Sequence, residues 1–70
     1  MNPVGGFSTR LASSVGERDG MGLELTLDDG EVIAEVFEWE ATGERTVTLF
    51  RPDLPLATLL WFLERVDTEL

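Results

Sequence analysis

The sequence predicts an α+β fold: a three- or four-stranded antiparallel β-meander with one C-terminal α-helix packed on one face. Three observations carry that reading. Residues 21–27 alternate apolar and polar side chains at the strand period, two glycine-bearing turns follow at Asp29-Gly30 and Thr42-Gly43, and leucines recur at helical spacing over residues 56–70.

The first twenty residues are rich in Gly and Ser. Phe7, Thr9, Leu11, Ser13 and Val15 share one strand face, although the spacing of Phe7, Leu11 and Val15 also suits a helix. Residues 1–20 are therefore read as an N-terminal tail or an extra edge element, and residues 21–70 as a single ββ(β)α domain. The first clear strand sets Met21, Leu23, Leu25 and Leu27 against Gly22, Glu24, Thr26 and Asp28. Asp29-Gly30 is the dipeptide of two-residue hairpin turns, because both positions need positive φ. Residues 31–40 form the second clear strand, Thr42-Gly43 the next turn, and the β-branched run RTVTLF the last strand. RPDLP ends the sheet, since proline cannot donate to a ladder, and Asp53 is placed to cap the helix that follows. In that helix Leu56, Leu59, Leu60, Leu63, Val66 and Leu70 lie on one stripe.

Two-residue loops fix a register. Leu27 then faces Val32, Leu25 faces Ala34, Leu23 faces Val36, Val36 faces Leu49, and Glu40 faces Arg45. One sheet face becomes aliphatic and is the one the helix covers. The opposite face collects Thr26, Ile33, Phe37, Trp39, Thr46, Thr48 and Phe50, with Glu24 directly across from Glu35. One helix cannot cover both faces. The aromatic face therefore needs the N-terminal segment, a second copy or another protein over it. On the helix, Trp61 points away from the leucine stripe. Trp is enriched at interfaces, so the candidate interface comprises Ile33, Phe37, Trp39, Phe50 and Trp61, with Glu24 and Glu35 either at its rim or paired with Arg10 or Arg18, since burying both unpaired is too costly.

Seventy residues suffice for one core. The chain has no cysteine and no histidine, which removes disulfides, thiolate chemistry, most zinc sites and the usual general base near neutral pH. Fourteen acidic residues against five arginines give a net charge of −9. That charge opposes binding to a nucleic-acid backbone or an anionic membrane, and it suits a basic protein partner. The composition, with arginine as the sole cationic side chain, is what GC-rich codons encode, which points to a high-GC bacterium or its phage. No run approaches the ~20 apolar residues of a membrane span. The opening residues lack the apolar core of a signal peptide, so the expected location is the cytoplasm.

Asp28, Asp29 and Glu31 offer oxygen ligands near one hairpin tip but lack the EF-hand spacing, and turns select Asp and Gly for conformation alone. No metal site and no cofactor is assigned. Glu24 and Glu35 are the one facing acid pair, yet a single small sheet offers no cleft for a sugar or other small-molecule substrate. The chain is not read as an enzyme. An aromatic sheet face otherwise suggests base stacking, but here it is ringed by Glu24, Glu35, Glu38 and Glu40. The expected role is a small acidic protein–protein interaction protein: an inhibitor, immunity-type or antitoxin-type protein, or a nucleic-acid mimic on a basic partner. The alternative is a structural homodimer joined through the aromatic face.

Overall fold

Alternating and β-branched residues produce four strands in the computed structural model, which describes residues 6–14 and 18–70. They are β1 (Phe7–Ser14), β2 (Gly20–Leu27), β3 (Val32–Trp39) and β4 (Arg45–Leu49), followed by helix α1 (Leu56–Glu69). The strands pair in chain order, every pair antiparallel, so the sheet is a plain meander. The N-terminal segment is thus an edge strand: Leu11 pairs with Leu23 and Phe7 with Leu27. Val15 lies outside the described residues.

The first hairpin differs from the two-residue turn the sequence suggests. Gly30 N–H donates to the Leu27 carbonyl (2.8 Å) and Leu27 N–H to the Glu31 carbonyl (2.9 Å), leaving a three-residue loop of Asp28, Asp29 and Gly30. Gly30 takes the positive φ, 92°, that a type I turn followed by a bulge demands. Pairing one residue early would put every β3 side chain on the wrong face. A β-bulge cancels the slip: Thr26 pairs with Val32 but Leu25 pairs with Ala34, so Ile33 is the extra residue. Beyond it Leu23 faces Val36 and Glu24 faces Glu35, as expected.

The second hairpin also runs longer than two residues. Trp39 N–H donates to the Glu44 carbonyl (2.9 Å) and Gly43 N–H to the Trp39 carbonyl (2.7 Å), closing a four-residue loop. Val36 consequently faces Val47 rather than Leu49, and Arg45 faces Glu38 rather than Glu40. The shift is two residues, an even number, so the faces are unchanged.

The aliphatic face is the core, as the alternation requires. Leu23, Leu25, Ile33, Ala34 and Val36 pack against Phe62 and Val66 of α1, with Phe7, Leu27, Leu54, Leu59, Trp61 and Leu70 around them. The helix, however, is turned from the expected orientation. Its buried residues are Thr58, Phe62 and Val66, whereas Leu56, Leu60 and Leu63 point outward. At 100° per residue this is roughly a quarter-turn. The physical reason is size: the Phe62 ring buries more apolar area at the centre of the sheet than a leucine would. Trp61 lies on the flank of the buried face, not opposite it. Asp53 does not cap the helix. It sits at φ 56° in the preceding turn, and Pro55 holds the cap position without a side-chain bond. No helix among the described residues is long and apolar enough to cross a membrane.

Candidate functional site

The aromatic face comes first, because the sequence places the interface there. Ile33 is absent from it: the bulge turns this residue into the helix-side core, where it is 1% exposed. Phe37 is equally buried, by its own chain. Its ring lies beside Gly20 and Gly22 of β2, the cross-strand neighbours of Trp39 and Phe37. A Cβ at Gly22 would come within 3.4 Å of the ring and 3.0 Å of Glu35 Oε2, and one at Gly20 would run into the Glu38 carbonyl. The two glycines therefore make room for the aromatic. Trp39 meets Phe37 edge-on at 5.0 Å and donates through Nε1 to Thr46 Oγ1 (3.3 Å).

Arginine covers part of the rest of this face. The Arg18 guanidinium stands 3.9 Å from the Phe37 ring centroid, a cation–π stack, and donates to Glu35 Oε2 at 3.0 Å. Arg10 from β1 donates to Glu24 Oε1 at 2.6 Å. The two facing carboxylates thus each have their own cation, as burial of like charges side by side requires. Thr26 Oγ1 donates to the Ser8 carbonyl at 3.4 Å, and among the described residues no buried side-chain polar atom lacks a partner. Of the expected interface residues, Ile33, Phe37 and Glu35 are buried within the monomer and Glu24 is held by Arg10. Trp39 and Trp61 are half-buried, and Phe50 is exposed. The structure does not assemble these seven residues into one bare patch.

The bare apolar surface lies on the other side. The helix neighbours β1 and β2 and leaves β4 uncovered. Val47 and Leu49, whose parity points them to the helix side, are 54% and 52% exposed. Leu56, Leu60 and Leu63 on the outward flank of α1 are 68%, 55% and 37% exposed, and Phe50 is 59% exposed. The strand and the helix meet at two points. Leu49 and Leu59 line one hollow together with Phe50, Pro52, Asp53 and Leu54, and Arg45 Nη1 reaches Asp67 Oδ1 at 3.4 Å. Strand β4 therefore borders the helix flank that carries Leu56, Leu60 and Leu63. A second hollow on that flank is lined by Ala57, Leu60, Trp61 and Leu63 with Glu64 and Asp67. Sequence reasoning missed this surface by assuming that all six leucine-stripe positions face inward.

Two further properties define the groove. The first is an open backbone edge. Phe50 N–H donates to the Ile33 carbonyl (2.9 Å) and Trp39 N–H to the Glu44 carbonyl (2.9 Å), which sets the alternation of bonded pairs along β3 and β4. The N–H and C=O groups of Arg45, Val47 and Leu49 consequently point away from β3. The second is charge. All five arginines stand within 4 Å of a carboxylate of the same chain: Arg10 with Glu24, Arg18 with Glu35, Arg45 with Glu38 and Asp67, Arg51 with Glu31, and Arg65 with Glu69. Asp53 lines the first hollow and Glu64 the second.

Among the described residues no group of three or more Asp or Glu side chains is placed to hold a metal ion. At the hairpin tip, Asp29 Oδ1 accepts the Glu31 N–H (2.9 Å) and Glu31 pairs with Arg51 (3.5 Å), so these carboxylates serve the turn and the loop beside it. What the arrangement offers chemically is binding: an apolar floor, an open strand edge and an acidic rim. No family model matches the chain, and no curated protein or solved structure matches it in the comparisons.

Proposed function

We propose that the chain is a small acidic protein-interaction module that binds through the groove between α1 and β4, rather than through the aromatic face. The observation that carries this is the exposure of Val47 and Leu49 on β4 and of Leu56, Leu60 and Leu63 on α1, two elements that the Arg45–Asp67 pair bridges. Monomeric proteins rarely leave a patch of that kind bare, and large apolar patches with polar rims mark association sites. The leucines are not needed inside, because the sheet is already filled by Phe62 and Val66. Their retention on the surface is explained by a partner.

The test compares wild type with the double variant Val47→Ser, Leu60→Ser. Pure protein is sedimented to read self-association, and protein captured from cell extract is footprinted by carbene labelling. The reading requires association that protects Leu49 and Leu60 from label and that the double variant loses while its far-UV spectrum stays folded. Association that is equal in both proteins, or that protects Trp39 alone, contradicts it.

A further inference from the structure

Resting on that reading, we infer that the occupant of the groove is an extended, cationic segment of a partner protein, added as a fifth strand along the open edge of β4. Three features select this occupant. The outward backbone groups of Arg45, Val47 and Leu49, which meet no further strand among the described residues, form a ladder edge, and strand addition satisfies such groups directly. Natural edges are usually blocked by lysine, proline or an inward charge; here Arg45 alone is charged, and it is drawn toward Asp67.

The second feature is the offset of the helix. Because α1 approaches β1 and β2 most closely and leaves Val47 and Leu49 exposed, the helix does not block the edge of β4. Every other side chain of that strand falls on the helix side, next to Val47 and Leu49. Apolar residues at alternate positions of the segment would fill this space.

Charge complementarity is the third. A second copy would bring another net charge of −9, and all of its arginines are already engaged with its own carboxylates. Among the described residues it offers no arginine without a carboxylate of its own to set against Asp53 and Glu64. A segment that interleaves Lys or Arg with aliphatic residues supplies both requirements, and the surplus of acid steers it in.

The experiment selects displayed random peptides against the full chain and maps the winners by amide NMR. The expected winners alternate aliphatic residues with Lys or Arg, shift the Arg45, Val47 and Leu49 amides, and bind more weakly as salt rises. Val47→Pro removes an outward N–H that the sheet itself does not use, so it should leave the fold intact yet weaken binding about tenfold, the cost of a lost hydrogen bond. Methylating the facing peptide nitrogen tests the same bond in wild-type protein, should the proline variant misfold. Winners with helical spacing, or without cationic residues, or indifferent to both backbone changes, overturn strand addition and leave the interaction reading standing. A dimer of the pure protein that Val47→Pro dissolves makes a second copy the occupant and overturns the cationic partner. If no peptide binds in a way that Leu49→Ser or Leu60→Ser weakens, both readings fall.

Discussion

Helix α1 carries two apolar stripes with opposite fates. Thr58, Phe62 and Val66 are buried against the sheet, while Leu56, Leu60 and Leu63 stand more than a third exposed. By composition the outward stripe is the more hydrophobic, since the inward one includes a threonine. What separates them is volume and position. The sheet offers one central hollow over β2 and β3, an aromatic ring fills it, and the leucines are rotated onto the flank. Hydrophobicity therefore identifies which residues seek cover, and packing decides which obtain it within the chain. The remainder define where another molecule can add cover.

The most severe way to break the contrast is Phe62→Ala. Removing a ring from the centre of the core should cost about 3–5 kcal/mol, comparable to the whole stability of a small domain. Denaturant melts should show the variant largely unfolded at room temperature. An intermediate loss is expected from Arg18→Ala, which uncovers Phe37 and leaves buried Glu35 without its cation: about 1–2 kcal/mol. Arg10→Ala, which breaks a more exposed pair, should cost no more than about 1 kcal/mol. Chemical denaturation of the two arginine variants side by side checks the order, and a larger loss at Arg10 would mean that Arg18 does not seal the aromatic face. Leu60→Ser should cost the least, within about 0.5 kcal/mol of wild type, because a surface position loses little on truncation. Should Leu60→Ser instead melt like Phe62→Ala, the leucine stripe is the inner one.

Much of this fold is legible in the sequence, and the parts that are not have identifiable causes. Met21 to Leu27 alternate so cleanly that both the strand and its buried face follow from period alone. The turns are marked by Gly30 and Gly43, but loop length is not, because three- and four-residue loops use the same residues as two-residue ones. In the second hairpin the error is even and harmless to the faces. In the first it is odd, and the compensating bulge at Ile33 has no residue signature of its own. The closure of the aromatic face did have a signal. Gly20 and Gly22 share a face of β2 and pair in register with Trp39 and Phe37, an arrangement in which rings shelter glycine backbone. Arg18 and Arg10 stood ready for Glu35 and Glu24. The helix orientation was the least legible feature, since apolar residues occupy more than half its circumference and the leucine count outweighs the single Phe62. The groove between α1 and β4 inherits that ambiguity, because it exists only for one rotation of the helix.

That rotation is measured most directly by methyl NMR of the isolated protein at low concentration with a soluble paramagnetic probe. The methyls of Leu56, Leu60, Leu63, Val47 and Leu49 should relax strongly as the probe is added, while those of Leu23, Leu25 and Val66 remain nearly unaffected. Leu60 and Leu63 shielded to the level of Leu25 would contradict the outward flank, and with it the groove on which the proposed binding depends.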